Sequence, residues 1–480
     1  MFADSGGAHA HRLLTDQRAR LWLALLLATH VFAVVCSRGY FQFDEHYQVL
    51  EFIQWKLGLV RAADMPWELG ERMRPWLHAL PFYPLEWFAQ RALGWSPFVK
   101  TTCHRAFVAA LALYVMLRRA RRDPAQLPLY ATCFFFPFLD ARISAEVIGG
   151  WLFALGDVLD EEQAGSPSRR AVFACGLVFG LAAVIRLHVL ACVLGVFLQH
   201  VLRGDLRRCG LLIAGLLSAF ALGAACDRWG YGTFTFVPWN YVYQNIVLGK
   251  SVRFGSGASP FYWYVPALLR ATLYVPGALL LVAMLWQWLR RPASRLTWIT
   301  LPFVLLHCAV AHKELRYLFP LAPLAPALLL GLWRDVRGVR FCRMFAAGWF
   351  ALNLPLLAPA ALHDANPEIS LYAALHAQRQ PSDRTLHYVN DTDPLGPWRL
   401  YPSYYVRDLG LGARRAAAPR APVHGLLMVD HPAAYAELRR DARCQLVASR
   451  YPPYVLEHWP AWLPPQRGPW IKLWSLWRCP

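Results

Sequence analysis

The chain has 480 residues, 57% of them hydrophobic and 16% charged, and carries a net charge of +19. It is too apolar for an ordinary soluble enzyme, and its apolar residues come in long runs, so it reads as an all-α polytopic membrane protein. The basic excess is nearly all arginine, with lysine only at 56, 100, 250, 313 and 472. Those arginines sit in short blocks between hydrophobic runs, a topology signal and not a nucleic-acid-binding stripe.

Eleven spans are expected, at residues 21–36, 101–117, 126–139, 143–158, 171–185, 187–202, 209–226, 264–289, 297–311, 318–333 and 342–361. Several fall short of the ~20 residues a helix needs to cross a bilayer unaided, so they use flanking residues or cover the membrane in part. The first follows Arg12, Arg18 and Arg20 and lacks a small-residue cleavage site, which reads as a retained signal anchor. Arg118, Arg119, Arg121 and Arg122 follow the second span, and Arg169 and Arg170 the fourth. Arg203, Arg207 and Arg208 follow the sixth, Arg290, Arg291 and Arg295 the eighth, and Arg334, Arg337, Arg340 and Arg343 the tenth. Every block follows an even-numbered span, so all share the side of the amino terminus, which the positive-inside rule makes cytoplasmic. Segments 37–100, 140–142, 227–263 and 312–317, and a separate domain at 362–480, then face outward from a transmembrane domain at 1–361. The unusual polar and aromatic residues lie in those outer segments, so the chemistry is expected there.

The first outer loop carries Phe43-Asp44-Glu45-His46. Adjacent carboxylates beside a bilayer can act as a general base, bind a metal or simply solvate a loop. Trp67-Glu68 and then Arg72-Met73-Arg74-Pro75-Trp76-Leu77-His78 mix aromatic and basic residues, which suits a loop at the membrane interface. Arg142 and Glu146 stand four apart, a spacing that pairs them on a helix. Arg186, between spans five and six, runs against the positive-inside trend, and either holds a phosphate or snorkels to headgroups. Loop 227–263 is dense in Trp, Tyr, Asn and Gly; such rings stack on sugar faces while amides bond hydroxyls.

His312-Lys313-Glu314-Leu315-Arg316-Tyr317 is wedged between the apolar runs 301–311 and 318–332. A Lys, Arg or Asp at the centre of a membrane helix is penalised by about 2.5–3.5 kcal/mol. A cluster of this kind persists at a helix end, facing a polar cavity or a charged ligand. In the tail, 385–390 and 425–430 read as strands of a small α/β or irregular domain. The eleven cysteines show no CxxC and no zinc spacing. Most sit inside apolar runs as packing residues, whereas Cys444 and Cys479 can pair if the tail faces an oxidising compartment.

Several of these segments together resemble glycosyltransferase family 22, the dolichyl-phosphate-mannose-dependent α-mannosyltransferases of glycan and glycosylphosphatidylinositol (GPI) anchor assembly, in the GT-C superfamily. They are Asp44-Glu45, the Arg72–His78 stretch after Trp67-Glu68, Asp227 with Tyr231-Gly232, Asn240, Asn245 and Phe254-Gly255, and His312-Lys313-Glu314-x-Arg316-Tyr317-x-Phe319-Pro320. The resemblance spans roughly residues 20–360 and keeps the motif order. It implies a GT-C fold and inverting transfer of mannose from a polyprenyl-phosphate donor to a glycan or glycolipid acceptor. By position, Asp44, with Glu45 next, is the expected base. His312, Lys313 and Arg316, with Arg142 and Arg186, are the expected phosphate ligands. Trp67, Asp227, Tyr231, Asn240 and Asn245 are expected at the sugar or acceptor.

No metal motif is visible and the expected leaving group is a monophosphate, so no cofactor and metal-independent activity are expected. A related GT-C transferase using polyprenyl-linked arabinose or glucose is the alternative within enzymes. A lipid flippase would show internal repeats and broken midplane helices, and no convincing repeat is present. Arginine and alanine bias favours a bacterial inner membrane with the active face in the periplasm; an endoplasmic reticulum membrane facing the lumen fits the same topology.

Overall fold

The structure, a computed structural model, describes residues 16–480 apart from 166, 255–256, 336–338, 390–394, 396–402, 417–423, 431 and 459–473. It falls into two compact units. The first comprises residues 1–36, 67–84 and 103–363, and the second residues 37–66, 85–102 and 364–480.

The long helices are α1 (Gln17–Cys36), α2 (Pro97–Arg122), α3 (Ala145–Glu162), α4 (Arg169–Ile185), α5 (Leu190–Leu202), α6 (Leu206–Tyr231), α7 (Val275–Arg290), α8 (Arg295–Ala309), α9 (Ala325–Asp335) and α10 (Val339–Leu362). Short polar side chains start several of them by accepting an otherwise unpaired amide. Ser144 accepts from Val147 N–H at 3.3 Å for α3, Asp205 from Arg208 at 3.2 Å for α6, and Ser294 from Thr297 at 3.3 Å for α8. The core of the first unit joins Phe153 of α3, Val172 and Phe179 of α4, Val193 of α5, Leu212 of α6 and Phe303 of α8. Helices α4 and α6 meet backbone to backbone because Gly176 sits at the crossing. A Cβ there would lie 2.2 Å from the Leu212 carbonyl oxygen.

Among the described residues, four helical stretches are long and apolar enough to cross a membrane alone: Gln17–Cys36, Leu206–Tyr231, Leu315–Asp335 and Met344–Leu362. Leu187–Leu202, Val275–Arg290 and Arg295–Ala309 are apolar but shorter. Two expected spans are interrupted and a third changes helix type, each near proline. Run 126–139 is two short helices, Gln126–Thr132 and Phe135–Asp140, parted at Cys133, with Pro137 in the first turn of the second. Run 264–289 breaks before Pro276, where Leu273 and Tyr274 adopt φ of 52° and 67°. Run 318–333 opens as a 3₁₀ segment, Leu315–Leu324, because Pro320 and Pro323 have no amide hydrogen to give an α-helix.

The arginine blocks have carboxylate partners that the sequence reading passed over. Asp157 and Asp160, both buried near the carboxyl end of α3, are the hub. Asp157 pairs with Arg119 and with Arg295, and Asp160 with Arg295, Arg208 and His200. Arg334 reaches Asp123 at 2.8 Å, just beyond the first block. Blocks following the second, sixth, eighth and tenth expected spans are thus tied together. Arg337, Arg340 and Arg343 and the amino-terminal Arg12 have no described side chain.

The second unit holds a five-stranded sheet. Its strands are β1 (Thr385–Tyr388), β2 (Gly412–Arg415), β3 (Gly425–Val429), β4 (Gln445–Ser449) and β5 (Ser475–Cys479), in the order β2-β1-β3-β5-β4. Strand β1 runs parallel to β2 and β3, and β5 runs antiparallel to β3 and β4. Leu427, Val429 and Trp477 of the sheet pack on Tyr435 and Leu438 of the helix Pro432–Arg440. The expected strands at 385–390 and 425–430 both form, with Asn390 outside the described residues. Cys444 and Cys479 are disulfide-bonded.

Candidate active site

In the first unit, cations gather where the amino end of α3 meets the 3₁₀ segment after Glu314. Helix α3 begins only at Ala145, with Ser144 as its cap, so Arg142 precedes it. The expected i,i+4 helical pairing of Arg142 with Glu146 therefore does not apply. Glu146, 1% exposed, instead pairs with Arg186 at 2.8 Å, and Arg316 Nε lies 3.6 Å from the same oxygen. Arg142 is buried, donates to the Phe138 carbonyl at 3.3 Å and lies over the Phe138 ring. Arg316 also closes a fork on Glu314, with Nε at 2.7 Å from one oxygen and Nη2 at 3.0 Å from the other. His312 Nε2 and the Tyr317 hydroxyl approach that second oxygen at 2.9 and 3.2 Å. Burial pushes the Glu314 carboxyl up, but the His312 hydrogen bond and the Arg316 charge outweigh it and hold its pKa below the ordinary value. The buried Lys313 ammonium is held by the carbonyls of Ser259, at 3.0 Å, and Val310.

This approach depends on two glycines that the sequence reading did not single out. A Cβ on Gly149 would lie 3.2 Å from Arg186 Cβ, and one on Gly150 would lie 2.7 Å from Pro320 Cα. Both stand about one turn beyond Glu146, on the same side of α3. They form the notch into which Arg186 and the Arg316–Pro320 backbone fit.

Tyr241 links this cluster to the Arg72–His78 stretch. Arg186 lies 5.9 Å from its ring centroid and Arg74 lies 5.7 Å from it. The expected sugar residues of this region mostly hold backbone. Asp227 accepts the Trp76 amide at 2.7 Å, and the Tyr231 hydroxyl donates to the Arg74 carbonyl at 2.7 Å. Asn240 donates to the carbonyls of Glu71 and Arg72, and Asn245 to that of Tyr241. Trp67 is half-buried with the Lys250 ammonium 4.9 Å from its ring, and Glu71 binds both Lys250 and Gln244. Within the Arg72–His78 stretch Trp76 is fully buried, seated on Gly230, where a Cβ would strike its ring, while Arg72 is exposed. Gly255 and the Phe254 side chain lie outside the described residues.

The acidic pair belongs to the second unit. Residues 43–56 form one helical rod: Phe43–Glu45, a wide π turn at His46–Leu50, then Glu51–Lys56. Glu45 is buried and its Oε1 accepts the amides of Phe41 and Gln42 at 3.2 and 3.1 Å, a helix-capping role. Asp44 is half-buried in the same first turn. Glu45 Oε1 is thus committed to the backbone. In the same unit the sequence reading missed Glu51, Glu86, Tyr404 and Arg407, which lie far apart in the chain and carry no local motif.

Taken by units, the first offers buried guanidinium and imidazole groups preorganised on two carboxylates, and an ammonium held by backbone carbonyls, which suits an anionic group such as phosphate. The second offers a carboxylate on a short helix. The fold is shared with the crystal structure of ArnT from Cupriavidus metallidurans bound to undecaprenyl phosphate, at a TM-score of 0.51 and 11% identity over 96% of this chain and 98% of that one. That likeness defines the class, a GT-C fold. The sequence pattern of the Alg9-like mannosyltransferase family matches residues 21–404, and the chain belongs to that family. It is 31% identical over 126 residues to GPI mannosyltransferase 3 of Gibberella zeae, covering 24% of this chain and 19% of that protein. It is 29% identical over 123 residues to GPI alpha-1,2-mannosyltransferase 3 of Xenopus laevis, covering 23% and 20%. The matched stretch spans about a fifth of the length of these curated relatives.

Proposed function

We propose that the protein is a membrane mannosyltransferase that moves mannose from a polyprenyl-phosphate donor to a glycan or glycolipid acceptor, with inversion at the anomeric carbon. The observation that carries this reading is the buried Arg186, Arg316 and His312 cluster organised on Glu146 and Glu314, with buried Lys313 beside it on backbone carbonyls, in a chain of the Alg9-like family. A departing phosphate monoester gathers charge, and preorganised cations stabilise that charge best where water is excluded. Arg316 and Arg186 supply forked donors, with Lys313 as a point charge and Arg142 in support. Asp44 is the base. It takes the proton of the acceptor hydroxyl as that oxygen bonds to the anomeric carbon and the bond to the phosphate oxygen breaks. Asp227, Tyr231 and Asn240 serve the acceptor side through the 71–76 backbone they hold, while Trp67 offers a ring for sugar stacking.

The eleven-span topology, with catalysis on the extracytoplasmic face, belongs to the same reading. Two observations support it: three of the five arginine blocks meet at the carboxyl end of α3, with a fourth tied to Asp123, and Cys444–Cys479 is a disulfide, at home in an oxidising compartment. Arginine and alanine bias favours the bacterial periplasm over the lumen of the endoplasmic reticulum. A second reading, transfer of another polyprenyl-linked sugar such as arabinose or glucose, draws on the undecaprenyl phosphate bound by the Cupriavidus protein of like fold. The test is a donor panel offered to membranes containing the protein: polyprenyl-phosphate-linked mannose, glucose and arabinose, each radiolabelled. Labelled product from mannose alone supports the first reading, and product only from another sugar replaces it with the second.

A further inference from the structure

The segment at residues 403–409 lies some 350 residues beyond the acidic loop in sequence, yet its polar groups are aimed at the rod that carries Asp44. Glu51, 2% exposed, accepts the Tyr404 amide at 2.9 Å and pairs with Arg407 at 2.8 Å. Arg407 also donates to Gln54 Oε1 at 2.9 Å. Gln54 Nε2 in turn donates to Glu86 at 3.3 Å. Glu86 is completely buried, accepts the Tyr404 hydroxyl and pairs with Lys100 at 3.0 Å, while the Lys100 ammonium lies 5.0 Å from the Tyr404 ring. The π turn completes the device. It bonds the Glu51 amide to the His46 carbonyl, and Glu51 Oε1 lies 3.1 Å from His46 Nε2. Residues five apart share a face only in such a wide turn, and these turns gather at functional sites. The His46 ring stacks on Tyr405, 6.0 Å between centroids and 17° from parallel.

Buried ion pairs are a poor way to gain stability, since a well-packed apolar contact does as well or better. What they supply is a single register, because any slip strands a buried charge. We propose that Tyr404 and Arg407 are positioning residues. Through Glu51, Gln54 and Glu86 they fix the rod at residues 43–56, and so set where the Asp44 carboxylate meets the acceptor hydroxyl. This rests on the reading of Asp44 as the base. The two residues act through the helix whose first turn carries Asp44.

The experiment is steady-state mannose transfer by the full-length protein, varying polyprenyl-phosphate-mannose, for wild type, Arg407→Gln, Arg407→Lys, Tyr404→Phe and Asp44→Asn. Arg407→Gln is expected to lower kcat at least tenfold while donor KM stays within twofold, since the residues proposed to bind the donor phosphate are His312, Lys313, Arg316, Arg186 and Arg142. Arg407→Lys, which keeps the charge opposite Glu51, is expected to recover to within about threefold of wild type. Tyr404→Phe removes one hydroxyl and is expected to lower kcat about three- to tenfold. It carries the test alone if Arg407→Gln fails to accumulate with its Cys444–Cys479 disulfide formed. The proposal is overturned if kcat is unchanged in the folded variants, if donor KM rises as far as kcat falls, or if lysine at 407 is no better than glutamine. Near-normal turnover by Asp44→Asn would remove the base itself, and that outcome is read independently of the variants at 404 and 407.

Discussion

Replacing Arg316 tests the phosphate assignment where the geometry is most explicit. Its Nε and Nη2 span the two oxygens of Glu314 at 2.7 and 3.0 Å, and its Nε stands 3.6 Å from Glu146, so the guanidinium is oriented before substrate arrives. A preorganised donor aimed at charge that develops in the transition state is worth about 2.7–4 kcal/mol. At about 1.36 kcal/mol per tenfold, Arg316→Ala should lower donor kcat/KM about 100- to 1000-fold. Arg316→Lys keeps the charge without the fork, and should regain about tenfold of that loss. The assay varies donor at saturating acceptor and acceptor at saturating donor, with protein level followed by immunoblot. Donor use should suffer more than acceptor use. Unchanged donor kcat and KM in a well-expressed Arg316→Ala would take the residue out of the phosphate site and refute the reasoning.

Gly150→Ala puts a Cβ 2.7 Å from the Pro320 backbone, which cannot swing aside like a side chain. Overpacking of this kind costs about 1–3 kcal/mol, so a lower melting temperature and reduced transfer are expected in detergent. Gly165→Ala, which meets nothing within 4 Å, should match wild type. The depressed pKa of Glu314 gives a stabilising contribution that is complete above the ordinary carboxylate value of about 4.3 and is lost only as pH falls through the lower folded value. The gap in melting temperature between wild type and Glu314→Gln should therefore not close between pH 7 and pH 5; a gap that closes across that window contradicts the ion-paired state. Transfer should survive EDTA, and a loss restored by added divalent cation would overturn the expectation of metal-independent chemistry.

The parts of the fold that were legible in the sequence are those with a local cause. The charged hexapeptide after Ala311 was bound to gather a polar site, because four ionisable groups between apolar runs have few other ways to be satisfied. Strand β3 is a short apolar run and β1 a short run with Thr, Leu and Tyr, while the two tail cysteines stand out by lying outside the apolar segments. Misreadings came where a single residue overrides spacing. Ser144 starts α3 after Arg142, so a pairing based on helical periodicity went to Arg186 instead. Prolines 137, 276, 320 and 323 accompany breaks in runs that hydropathy alone treats as continuous. Asp44 was ranked ahead of Glu45 by position alone, and the bonds from the Phe41 and Gln42 amides to Glu45 are a detail that position does not give. The Glu51–Arg407 and Glu86–Tyr404 contacts bridge more than 300 residues of chain, and nothing in a local pattern could pair them.

The measurement that bears most directly on the central claim is mannose transfer from radiolabelled polyprenyl-phosphate-mannose in membranes containing wild type or Asp44→Asn, with endogenous lipids and a panel of GPI precursors as acceptors. The account predicts labelled product with wild type and none above background with Asp44→Asn at equal protein level. Equal transfer by the two would contradict it, since the base would then be another group.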